Sequence, residues 1–166
     1  MSHISTAVEY GLHCLLLLAT AEDAAPDTSA RDLAELQGVS PDYVAKLFTK
    51  LGKAGLVRAT EGAHGGYALA KPLDQISVLA VVEAIDGKKD LFACREIRAR
   101  CAVFEGEPPQ WATQGVCSIH AVMLAAEQSM REVLGRHTLA DLSRRVDAKA
   151  PAGFSSSVVG WLERRR

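Results

Sequence analysis

The 166-residue sequence predicts a mainly α-helical fold with a small β-hairpin, arranged as a winged helix-turn-helix followed by one long dimerisation helix. Three observations predict it. Two short helical stretches are separated by a three-residue turn, and the second opens on Ser40-Pro41. Two strand-like runs then flank a glycine-rich tip, and a long apolar-periodic stretch follows Cys117.

Taken in order, Ile4 to Thr20 repeats Ala7, Val8, Gly11, Leu12, Leu15, Leu16 and Ala19 at three- and four-residue steps, the period of an amphipathic helix. Residues 22 to 29 read as a loop. Thr28 or Ser29 can cap a second helix over Ala30 to Leu36, which Gly38 ends by taking a positive φ. Ser40 and Pro41 start the third helix, whose apolar face is Tyr43, Val44, Leu47, Phe48 and Leu51. Gly55 stops it. Leu56 to Thr60 and Tyr67 to Ala70 then form a hairpin around residues 61 to 66. A helix over Val78 to Ile85 ends at Asp86-Gly87, and the next 28 residues have little periodicity, a length that in a compact chain is usually functional. The long helix runs from Ser118 to near Gly135, and a short docking helix covers Thr138 to Val146. The expected organisation is therefore a winged helix-turn-helix domain over 1–87, a cysteine-containing loop over 88–117, the dimerisation and docking helices over 118–146, and a partly mobile tail over 147–166.

Composition narrows the function classes. With 48% hydrophobic and 23% charged residues the chain suits one compact domain, alone or with an extension, and excludes collagen-like and low-complexity readings. The longest apolar run, Cys14 to Ala21, falls well short of the roughly 20 residues of a membrane span. No Lys or Arg precedes it, so neither a signal peptide nor a membrane anchor is expected and the compartment reads as cytoplasmic. A net charge of −1 denies the chain a globally basic surface, so any nucleic-acid contact must be local.

Such a local element exists. Residues 40 to 58 carry four cations, Lys46, Lys50, Lys53 and Arg58, against one anion, Asp42. The second helix of a helix-turn-helix presents its N-terminal residues to base edges while hydroxyls and cations meet phosphate. That assigns Ser40, Asp42, Tyr43 and Lys46 to the bases of a double-stranded operator. Thr49, Lys50 and the wing residues Arg58, His64, Gly65 and Gly66 fall near its backbone. No Cys-x-x-Cys motif, Ser/His/Asp set or phosphate-cradling glycine loop is present, so neither an enzyme nor a small-molecule substrate is expected.

Cys94, Cys101 and Cys117 are spaced too irregularly for a structural zinc site, whose ligands come as tight pairs, and suit an iron–sulfur cluster better. A fourth ligand could be His120, one turn beyond Cys117, or come from Glu9 and His13, which project from one helix face at i, i+4. Cys14, inside the leucine stripe, reads as core.

Across residues 1 to about 145 the chain resembles the Rrf2 family of bacterial winged-helix regulators. The matching stretches are Val8-Glu9-Tyr10-Gly11-Leu12, Leu33-Ala34-Glu35, Val39 to Leu47, Lys53-Ala54-Gly55-Leu56-Val57, Gly65 to Leu69 and Val81 to Gly87. The resemblance implies a homodimer joined through the long helix, carrying an iron–sulfur cluster. Its redox-sensing branch, which Val8 to Cys14 looks most like, implies a [2Fe-2S] rather than a [4Fe-4S] cluster held by Glu9, His13, Cys101 and Cys117, with Cys94 and His120 as alternatives. The function implied is a transcription repressor whose operator affinity follows the redox state or presence of the cluster. The alternative is a cluster-free member that senses thiol oxidation, a metabolite or a partner protein.

Overall fold

A computed structural model describes residues 3–21, 28–60 and 65–165. The elements are α1 (Thr6–Ala21), α2 (Ala30–Gln37), α3 (Pro41–Lys53), β1 (Val57–Ala59), β2 (Tyr67–Leu69), α4 (Val78–Asp86), α5 (Gln110–Thr113), α6 (Ser118–Arg136), α7 (Leu139–Asp147) and α8 (Phe154–Glu163). Single 3-10 turns lie at Leu73–Gln75, Arg98–Arg100 and Ala102–Phe104. The fold class is the expected one. The chain forms two compact units, Met1–Lys88 with Leu134–Arg166, and Lys89–Val133.

In the first unit, local chemistry sets the helix ends. The Ser29 hydroxyl accepts from the Asp32 N–H at the start of α2, and Gly38, at φ +66°, closes its end. Three residues later the Ser40 hydroxyl accepts from the Tyr43 N–H, with Pro41 at the first helical position. β1 and β2 pair antiparallel in the register Val57 to Leu69, Arg58 to Ala68 and Ala59 to Tyr67. The Thr60 N–H donates to the Gly66 carbonyl and the Gly66 N–H to the Thr60 hydroxyl, which closes the base of the wing. α7 is stitched to the start of α4: the Val78 N–H donates to the His137 carbonyl at 2.8 Å and the Leu139 N–H to that of Ile76 at 2.9 Å.

Leu15 of α1, Leu33 of α2, Val44, Phe48 and Leu51 of α3, Ile76, Val81 of α4 and Leu139 of α7 are fully buried in one core. Phe48 sits at its centre, with the Tyr67 ring 4.7 Å away, centroid to centroid.

The stretch Phe154–Glu163 falls within the segment read from the sequence as a tail. That stretch is α8, held because Val158 and Leu162 bury against Ala21, with Leu17, Leu36 and Trp161 packed around them. A ten-residue helix with few buried positions leaves little periodic signal, and its partners lie more than 100 residues away in sequence.

The second unit is organised differently. Among its described residues only Ala112 is buried. Phe104 and Trp111 meet edge to face at 6.0 Å, and the Leu91 N–H donates to a Glu127 carboxylate oxygen at 3.1 Å. α6 buries none of its 19 residues.

Phe48→Ala removes the central ring of the first unit and is expected to cost about 3–5 kcal/mol of unfolding free energy, read from the denaturant midpoint.

Candidate functional site

α3 divides cleanly into two faces. Val44, Leu47, Phe48 and Leu51 face the core, while Ser40, Asp42, Lys46, Thr49 and Lys50 are exposed, as is Arg58 on β1. The structure thus brings the exposed α3 candidates onto one helix. Tyr43 is half-buried, its ring edge-on to Tyr10 of α1 with centroids 5.6 Å apart, and desolvation followed by the Tyr10 charge pushes its phenol up. The Thr49 hydroxyl donates to the Ala45 carbonyl at 2.9 Å, which leaves its oxygen free to accept. Gly65 is exposed and Gly66 buried; His64 lies outside the described residues.

The Lys50 ammonium donates to the Ile85 carbonyl at 2.6 Å, in the last turn of α4, where a cation meets the unsatisfied carbonyls of a helix end. Lys50 is thus tied within the first unit while remaining exposed, as Lys46 is.

On α1, Glu9 and His13 are both exposed and line a groove of about 850 Å³, with apolar walls that include Val82, Leu142 and Phe154 and with Arg145 and Lys149 at its edge. Cys14, one residue on, is fully buried, and burial pushes its thiol up to about 12.

In the second unit all three cysteines are free thiols. Cys94 and Cys117 are half-buried and Cys101 is exposed. Arg98 organises this region. Its guanidinium is held above the ordinary arginine value by its hydrogen bond to Glu96, and the charges of Cys117 and Cys94 act on it in the same direction. It also donates to the carbonyls of Thr113, Gln114 and Gly115, the last at 2.9 Å, which fixes the backbone just before Cys117. Glu96, at φ +46°, is the partner that pins it. His120 is half-buried with its ring 6.1 Å from that of Phe92. Sequence reasoning passed over Arg98, although a cation lying four residues after Cys94 and three before Cys101 was an available signal. Among the described residues no three His, Cys, Asp or Glu side chains gather as a metal site within one chain.

The profile of the Rrf2 family, described as an iron-dependent transcriptional regulator, matches residues 4–145. The chain belongs to the Rrf2 family. It is 35% identical over 141 residues to Protein rrf2 of Nitratidesulfovibrio vulgaris, covering 85% of this chain and 87% of that one. Among solved structures, IscR of T. potens superposes with a TM-score of 0.65 at 26% identity, over 92% of this chain and 95% of that one. CymR of B. subtilis, titled a global cysteine regulator, superposes with a TM-score of 0.66 at 24% identity, over 87% of this chain and 98% of that one, a likeness of fold. This Rrf2 protein is accordingly a DNA-binding transcription regulator and not an enzyme.

Lys46→Ala weakens DNA binding and lowers the slope of log affinity against log salt by about 1. Lys50→Ala, which also removes the tie to the end of α4, lowers unfolding stability by about 0.3–1 kcal/mol. In cluster-free native protein, a maleimide labels Cys94, Cys101 and Cys117 and spares Cys14, read by mass spectrometry of the digested chain; Cys14 reacts only on unfolding.

Proposed function

We propose that this Rrf2 regulator is a cytoplasmic, homodimeric repressor whose affinity for a double-stranded operator is set by an iron–sulfur cluster, [2Fe-2S] in preference to [4Fe-4S]. One observation carries the reading: a carboxylate and an imidazole, Glu9 and His13, stand exposed on the helix whose Tyr10 packs edge-on against Tyr43 of the reading helix. The donor set fits such a group chemically, because thiolates, an imidazole and a carboxylate are all known ligands of iron. Cys117 is the first thiolate in this reading. Cys101 is its favoured partner, with Cys94 as the competing thiolate and His120 as an alternative imidazole. Donation of Glu9 and His13 by the second subunit is part of this reading.

α6 supports the dimer. Ile119, Val122, Ala126, Ser129 and Val133 recur at the three- and four-residue spacing of a coiled-coil seam and are all exposed. An uncovered seam of this kind stabilises association when it meets its own copy.

When bound, an iron–sulfur group supplies one-electron chemistry and a change of charge. The chain's own residues transmit it. A shift of α1 moves Tyr10 against Tyr43, and with Tyr43 the α3 face that carries Ser40, Asp42 and Lys46. Two arrangements of that pair, unequally populated in the two redox states, are enough to change operator affinity. The proposed base contacts are Ser40, Asp42, Tyr43 and Lys46; Thr49, Lys50, Arg58, His64, Gly65 and Gly66 are the proposed backbone contacts.

The second reading, a cluster-free thiol sensor, draws on the free Cys94 and Cys117 about Arg98. Visible absorption of anaerobically purified protein, with iron and sulfide counted, separates the two. About two irons and two sulfides per chain, with reversible bleaching by dithionite and loss of the colour in Cys117→Ala, is the expected result. Colourless protein that also resists reconstitution leaves the thiol reading. Val122→Asp is expected to give monomers in sedimentation velocity and to weaken operator binding by at least about tenfold, a loss of roughly 1.4 kcal/mol.

A further inference from the structure

α8 begins beyond residues 4–145, the stretch that the family profile matches, and nothing in the proposed function uses it. Its attachment is nevertheless built from two independent contacts. Val158 and Leu162 bury against Ala21 at the end of α1, with Leu36 of α2 packed beside them. One turn on, Arg165 reaches α2 itself. Its Nε donates to Asp32 Oδ1 at 3.0 Å, one terminal nitrogen donates to Glu35 Oε1 at 2.9 Å, and the other pairs with Glu35 Oε2. The guanidinium lies over the Trp161 ring, 4.3 Å from its centre. Exposed ion pairs taken singly contribute little, but a planar fork engaging two carboxylates and stacked on an aromatic ring fixes a geometry that one flexible pair does not.

The carboxylates it holds sit where α2 is oriented. The other oxygen of Asp32 accepts from the Ser29 hydroxyl at 2.6 Å, and that same hydroxyl caps α2. The residue before it, Thr28, accepts the Tyr67 N–H of β2 at 3.0 Å. Beyond α2 only Gly38, Val39 and Ser40 separate it from α3. A displacement of α2 therefore carries the base of the wing and the reading helix with it.

We propose that α8 is a brace on the helix-turn-helix, and that Arg165 is a positioning residue for DNA binding through Asp32 and Glu35. This rests on the DNA-binding reading of α3. Arg165 acts through α2 rather than through DNA: three of its five N–H donors are committed to the two carboxylates. The direction of the effect is distinctive. Removing a carboxylate from a protein that binds a polyanion ordinarily strengthens binding, whereas loss of Glu35 here frees Arg165 and loosens α2.

The test uses the full-length protein and a duplex that the wild-type chain selects from a random-sequence pool. Arg165→Ala, Glu35→Ala and the double variant are compared by fluorescence anisotropy across a salt series, with the thermal midpoint of each showing that it is folded at the assay temperature. The expected result is that each single variant weakens binding by about three- to tenfold. The double variant is no weaker than the worse single one, and the salt slope is unchanged throughout. Arg165→Lys, which keeps the charge and loses the fork, recovers part of the affinity. Tighter or unchanged binding by Glu35→Ala overturns the brace. So does a slope reduced by about 1 in Arg165→Ala with additive effects, because that pattern belongs to a direct phosphate contact. A wild-type chain that selects no duplex removes the DNA-binding reading of α3 itself, and the brace with it.

Discussion

Burial of one stripe of α3 is the constraint on which the rest depends. Val44, Phe48 and Leu51 are wholly withdrawn from water, and Leu47 nearly so. Covering them takes Leu15 from α1, Leu33 from α2 and Ile76 and Val81 from the α4 region, so one set of apolar contacts brings together segments distant in sequence. Because a helix has opposite faces, the same packing turns Ser40, Asp42 and Lys46 outward. The reading face is exposed because its reverse cannot be.

The unit from Lys89 to Val133 has no comparable stripe. Ala112 is its single buried residue among those described, and its order depends on polar fastening by Arg98 and on two aromatic pairs. Regions with few buried apolar contacts open at low free-energy cost. Glu96 pairs with Arg98 in that unit. Its carboxyl is kept below the usual range by the hydrogen bond from Arg98, so the pair stays charged across the physiological range.

Two helices outside the helix-turn-helix bear on it by different means. α1 meets α3 through an aromatic edge, Tyr10 on Tyr43, while α8 meets α2 through a guanidinium fork. An aromatic contact is short-ranged and non-ionic, and so is sensitive to small shifts and indifferent to salt. The fork has the opposite character. The first is suited to passing a change to the reading head and the second to holding it still.

The order of helices, the caps at Ser29 and Ser40, the stop at Gly38, the hairpin and the buried nature of Cys14 could all be read from the sequence. Each is a property of a few neighbouring residues, and helix periodicity and capping are written in neighbours. Tertiary structure alone decided the rest. Lys50 and Lys46 are alike in sequence and both are exposed, yet Lys50 finds the Ile85 carbonyl 35 residues away, which ties its ammonium to the end of α4. Cys94 is half-buried and Cys101 exposed, a difference that their spacing does not encode. Arg165 reads as one cation of an arginine-rich end until Asp32 and Glu35 are placed beside it, 133 and 130 residues back along the chain. A side chain's partner across such distances depends on how helices pack, and no local pattern of residue types encodes it.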